Sequence, residues 1–263
     1  MSFAYKNVLL PFTPFPARRI QLLVAVQASV ALAIWFGGGS LALPTPGACA
    51  RAWLALAHKQ DLLGELAASV KVLLLSLAIA SVLSLAIAAA STAPLFAPLA
   101  RFASAMRFLG FAGLTYVFML LTNDAYQLKV ALLVFGISVM MVTAMLAEVV
   151  AISPQQVDHC KTLGMQHWRI TYELVVLGKA DVFLDLVRQN AAVGWTLITM
   201  VEGLTRAQGG IGALLLNQNR YFQLDGVFAI QFTILAYGLT QDAMLGMLKQ
   251  ALCPYSSTNN TEK

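Results

Sequence analysis

Charge is scarce in this chain. Only 11% of its 263 residues are Asp, Glu, Lys or Arg, while 59% are hydrophobic. A soluble domain carries about 25% charged residues. With a mean hydropathy of +0.74, the chain cannot clothe a water-facing surface. That excludes a soluble globular domain and points to an integral membrane protein. Cysteine is also scarce. Cys49, Cys160 and Cys253 are scattered with neither CxxC nor metal-ligand spacing, so no disulfide pair and no metal site is expected. Signatures of catalysis are missing too. Nothing matches GxxxxGK[ST], and Gly37-Gly38-Gly39-Ser40 lacks the lysine. HExxH, a nucleophile elbow and paired carboxylates are likewise not found, so no enzyme, no catalytic residue and no cofactor on this chain is expected. The basic excess, +5 with a pI near 9.2, reads as Lys and Arg retained on one side of a membrane rather than as a nucleic-acid surface.

What the chain has in quantity is apolar runs. Six can be read, roughly Ile20–Phe36, Leu66–Ala90, Phe108–Leu121, Val130–Val150, Val182–Val201 and Val227–Leu248. The third is short for a span and is expected to extend back through Phe102, with Arg107 snorkelling at the interface. Arg18 and Arg19 before the first run would suit a signal peptide, but the long lead favours an uncleaved span. With the N-terminus inside, cytoplasmic segments hold 11 Lys and Arg against 5 outside, with Lys71 unassigned inside the second span. The expected topology is therefore N-in, C-in. The chain divides into a cytoplasmic segment 1–19, a membrane domain 20–255 with a cytoplasmic loop 151–180, and a disordered polar tail 256–263.

That cytoplasmic loop is the most deliberate stretch. Ser153 suits an N-cap, Pro154 the first helical position, and Gln156 completes a capping box. Val157, Cys160, Gly164 and Trp168 are expected to fall on one helical face, two of them small enough for another protein to approach closely. A capped helix in solvent between two spans suggests docking to a soluble partner. A helix lying on the membrane interface is the plainer alternative.

From Asp158 to Leu177 the loop resembles the cytoplasmic EAA loop of ABC importer permeases. That pattern is Glu-Ala-Ala, three residues, Gly, nine residues, Ile-x-Leu-Pro. Asp158-His159-Cys160 stands at Glu-Ala-Ala, Gly164 is at the required spacing, and Leu174, Val176 and Leu177 fill the Ile, Leu and Pro positions. Both alanines and the proline are lost. Further pieces, in order along the chain, are similar to the nitrate/sulfonate/taurine/bicarbonate branch. They are Leu43-Pro44-Thr45-Pro46, Thr162-Leu163-Gly164 with Trp168, Gly194-Trp195, Val201-Glu202, Gly209-Gly210-Ile211-Gly212, Gly238-Leu239 with Asp242, and Cys253-Pro254-Tyr255.

The resemblance implies an all-α membrane protein of six transmembrane helices with the MetI-like type I ABC importer permease fold, in a bacterial inner membrane. It implies a transport subunit for a small solute such as nitrate, a sulfonate, taurine or bicarbonate. The partners implied are cytoplasmic ABC ATPase subunits carrying ATP and Mg, a second permease subunit expected to be a copy of this chain, a periplasmic or lipid-anchored solute-binding protein, and membrane lipid. The ATPase-coupling helix would comprise Val157, Asp158, His159, Cys160, Lys161, Thr162, Leu163, Gly164, Met165 and Trp168.

Polar groups inside apolar spans are functional candidates by default. Asn190, Thr196, Thr199 and Gln231 are the candidates for lining a pathway. Glu202 is a poor ligand for an anion; with Gly209, Gly210 and Gly212 it is a candidate for ordering an external gate. Asp185 and Arg188 are three apart and can pair on one helical face. Two rivals remain: a secondary transporter driven by an ion gradient, and a membrane assembly subunit that transports nothing. The first predicts paired broken helices in two inverted repeats, which the sequence does not display, and leaves the capped loop unexplained; polar residues along the fifth and sixth spans argue against the second.

Overall fold

The computed structural model describes residues 17–37, 44–205 and 209–254, and every regular element among them is helical. The leader up to residue 16, the glycine run at 38–40 and the polar tail from 256 lie outside the described residues.

The two most apolar helices form the centre. Helix α1 runs Ala17–Gly37, α2 Pro46–Lys59 and α3 Leu62–Ala90; after α4 (Ala97–Ala105) and α5 (Phe111–Leu121) comes α6, Ala125–Val150. Helices α3 and α6 are long and apolar enough to cross a membrane. They make the most extensive helix pair of the fold. Their seam is built of small residues on α3: Ser76, Ala80, Ser84 and Ala88 recur every fourth position and are fully buried. Small side chains let the backbones approach closely, as helices in lipid require. The Ser84 hydroxyl reaches the Ser138 carbonyl at 3.3 Å and its own Ala80 carbonyl at 2.6 Å. Leu133, Ile137 and Met141 of α6 are likewise fully buried.

The third apolar run differs from expectation. It does not continue back through Phe102 as one straight helix. A 3-10 turn at Met106–Phe108 ends the preceding piece, and Leu109 and Gly110 adopt extended backbone. The two halves, Ala97–Phe108 and Gly113–Leu121, meet at 119°. Counted as one broken span, they bring the total to three among the described residues. Arg107 stacks over the Phe108 ring at 4.9 Å at this break.

Beyond α6 come a short α7 (Pro154–Thr162), α8 (His167–Thr171) and a wider π-type turn over Tyr172–Leu177. Then follow α9 (Ala180–Leu204), α10 (Ile211–Arg220) and α11 (Leu224–Leu252). Helices α9 and α11 are as long as a span but carry several charged and amide side chains. α9 lies close on α3: a Cβ at Gly194 would stand 2.6 Å from Leu73 Cδ1. Helices α2 and α10 lie outside the six apolar runs read from sequence. Thr45 caps α2, its hydroxyl accepting from the Ala48 N–H at 3.3 Å, with Pro46 at the first position. The core runs through Leu62, Leu73, Leu77, Ile198, Ile211 and Ile230, joining α3, α9, α10 and α11.

Two ion pairs clip α9 to α11. Arg188 binds Asp242 through both carboxylate oxygens, and Lys249 binds Asp185. The expected pairing of Asp185 with Arg188 along one helix therefore does not form. Each finds an opposite charge on the facing helix instead, where two nitrogens can meet one carboxylate.

Candidate functional site

Three neighbourhoods hold the polar side chains singled out from the sequence. The first is the loop between α6 and α9. Ser153 and Gln156 form the capping box, the Ser153 N–H donating to Gln156 Oε1 at 3.2 Å. The helix stops at Thr162 because Gly164 takes φ +74°, a conformation costly for most side chains. The Gly164 N–H donates to Lys161 O at 2.9 Å and the Met165 N–H to Cys160 O at 3.2 Å. This double bond pattern is a Schellman ending. It corrects one expectation: Val157, Cys160, Gly164 and Trp168 do not share a single helical face, because the chain reverses at Gly164 and Trp168 begins anew in α8.

The resulting helix–turn–helix has an inner and an outer side. Cys160 and Ile170 are buried against the body and Val157 is half-buried. Asp158, His159, Lys161, Thr162, Leu163, Gly164 and Trp168 are exposed. Lys161 pairs with Asp158 at 2.9 Å on that surface. Nothing lies within 4 Å of where a Cβ on Gly164 would sit. A groove of about 530 Å³ lies between this motif and the end of α3, bounded by Thr92, Pro94, Val157, Trp168 and Leu174. Lys179 bonds Glu148 at 2.8 Å, tying the foot of α9 to the end of α6.

The second neighbourhood is a buried polar knot at the opposite end of α9. Glu202 is only 1% exposed and Lys129 only 3%. Ser69 Oγ stands 2.8 Å from both Glu202 carboxylate oxygens and accepts the Ile211 N–H at 2.9 Å. The Gly212 N–H donates to Glu202 Oε2 at 2.9 Å, and the Gly210 N–H donates to Glu65. Lys129 Nζ donates to the Gly209 carbonyl at 2.8 Å and lies 3.8 Å from Glu202 Oε1. The free N–H groups at the start of α10 are thus capped by side chains from α3 and α9, with both carboxylates at the positive end of the helix dipole. Gly209 and Gly210 have φ of +64° and +105°. At Gly210 a Cβ would fall within 2.5 Å of the Glu202 carboxyl, so only glycine fits. The candidates Glu202, Gly209, Gly210 and Gly212 are brought together. Glu65, Ser69 and Lys129 complete the group and were not singled out. Glu65 and Ser69 sit four apart on the first turns of an apolar helix, and that polar pair was the available signal.

The third is a cleft of about 590 Å³ between α9, α10 and α11, into which Thr196, Thr199, Gly212, Asn219 and Gln231 open. Three pathway candidates, Thr196, Thr199 and Gln231, meet here. Asn190 is elsewhere, 6% exposed, its amide donating to the Leu186 carbonyl at 2.9 Å. Deeper between α9 and α11, Trp195 donates to Gln241 Oε1 at 2.8 Å and packs edge-on against Tyr237.

Among the described residues no cluster of His, Cys, Asp and Glu is placed to hold a metal ion. No protein-family model matches the chain, and no curated protein matches it. Function is therefore read from residues and geometry.

Proposed function

We propose that this chain is the membrane permease subunit of an ATP-driven ABC importer. Helices α1, α3, the broken α4–α5 pair, α6, α9 and α11 would be its six spans in the type I arrangement, N-in and C-in, in a bacterial inner membrane. The observation that carries this reading is the α7–α8 motif. A capped, Schellman-terminated helix with an exposed polar outer side sits between the candidate span α6 and the long helix α9. The fold pays for its stops and caps in a stretch that adds little to the core. A surface made for docking explains it, and the resemblance of Asp158 to Leu177 to the EAA loop names a partner, a cytoplasmic ATPase holding ATP and Mg. The ATPase would bias a helix bundle between two states through this contact. The knot at Glu202 would order the outer gate, where a solute-binding protein delivers its cargo.

The test is co-purification. Tagged chain drawn from gently solubilised membranes is expected to bring a stoichiometric ATPase. Gly164→Asp should abolish that association while the chain stays folded. The position is open to solvent, and Asp tolerates positive φ better than most residues. An intact chain that brings no ATPase would overturn the reading.

A further inference from the structure

We infer that the cleft between α9, α10 and α11 is the solute-selecting site and that it takes an uncharged, hydrogen-bonding organic molecule rather than a free anion. The inference rests on the permease reading and narrows its substrate class. It departs from the oxyanions that the resemblance suggests.

The cleft has the volume of a small-molecule site, about 590 Å³. Its polar groups are hydroxyls and amides, those of Thr196, Thr199, Asn219 and Gln231, and no Lys, Arg, Asp or Glu lines it among the described residues. Methionine, leucine and valine side chains make the remaining walls. An oxyanion in such a site would lose its water without gaining a cation, which is costly. The nearest charges make matters worse for it. Gly212, on the cleft wall, donates its N–H to Glu202 just behind it. Glu202 and Glu65 bracket the turn, Lys129 is itself committed to the Gly209 carbonyl, and Arg220 lies with Glu65 in a separate pocket outside the cleft lining.

The hydroxyl geometry points the same way. Thr199 Oγ1 lies 3.1 Å from the Trp195 carbonyl and 2.9 Å from the Thr196 carbonyl. Its proton is spent on the backbone, so it presents lone pairs and accepts. A ligand with N–H or O–H groups is satisfied by that; an acceptor-only anion is repelled. Asn219 and Gln231 each offer a donor and an acceptor. The combination suits an uncharged molecule bearing several hydroxyl or amide groups on an apolar frame.

The test uses full-length chain in reconstituted vesicles, with Thr199→Cys and, separately, Gln231→Cys introduced. The parent serves as background, since Cys49, Cys160 and Cys253 are all buried. Three thiol probes of similar size are compared: 2-hydroxyethyl methanethiosulfonate, its anionic 2-sulfonatoethyl analogue and its cationic 2-trimethylammonioethyl analogue. Each rate is divided by that probe's rate with free mercaptoethanol. The uncharged probe is expected to lead the sulfonate by about tenfold or more at both positions. A sulfonate that reacts as fast as or faster than the uncharged probe overturns the proposal, and so does failure of all three probes to react at both positions. The outcome is independent of the pull-down. A bound ATPase with sulfonate-preferring cysteines would sink the substrate class alone, whereas no ATPase would sink the permease reading.

Discussion

Lys129→Met tests whether the buried knot holds the outer end of the bundle together. At 3.8 Å and an effective dielectric near 20, the attraction between Lys129 and Glu202 is about 4 kcal/mol. Burying both ions offsets much of that, so the intact pair adds little net stability. Removing one partner is a different matter. Glu202, 1% exposed, would be left without its cation, Glu65 would stand nearby, and the Gly209 carbonyl would lose its donor. Breaking a buried pair in this way costs about 3–5 kcal/mol. In a chain of this size that is a loss of roughly 6–20 °C in melting temperature. The assay is heating of detergent-solubilised chain followed by size-exclusion chromatography of what survives. Lys129→Met combined with Glu202→Gln should recover part of the loss, because Gln still accepts from Gly212 and carries no charge. The reasoning fails if Lys129→Met melts within about 2 °C of the parent, or if the double variant is no better than the single.

Gly212→Ala should destabilise by about 1–3 kcal/mol or more, because its Cβ would fall 2.5 Å from the Thr199 carbonyl oxygen and force α10 off α9; an unchanged melting curve would refute that contact. Reversing Asp242 to Arg should lower the yield of folded protein, and adding Arg188→Asp should restore it, since the two face each other across α9 and α11. Fluorescence-detected chromatography reads both variants, and a double no better than the single would deny the pairing. The Cys49 thiol is held above the ordinary thiol range, by burial first and by the negative charge of Asp225 second. Its alkylation by iodoacetamide should therefore be slow at neutral pH, with a pH profile displaced upward from that of a free thiol. Overlap of its pH profile with that of free cysteine would disprove this.

How much of this was legible from sequence depends on the range of the interaction. Five of the six apolar runs fall within single helices, because apolar length needs no partner to be read. The capping box at Ser153 was readable for the same reason: its chemistry is local. Helices α2 and α10 were missed because they are short and partly polar, although Thr45-Pro46 carried a start signal for α2. The break at Leu109-Gly110 was hidden in a run whose composition looks continuous. Contacts between distant segments were out of reach. Spacing paired Asp185 with Arg188, and only the packing of α9 on α11 shows that each pairs across the gap. Lys129 looked like a loop cation, and nothing in its neighbours announces Glu202, 73 positions away.

The seam between α3 and α6 has a mechanical consequence. Ser76, Ala80, Ser84 and Ala88 form a stripe of small, fully buried side chains on α3, so that stripe has no room for added volume. At the far end the same helix is fastened through Ser69 and Glu65 to the start of α10. The helix is therefore fastened at one end and closely fitted along its length, and a bulky residue such as Leu at Ala80, 0% exposed, would act as a wedge in its packing.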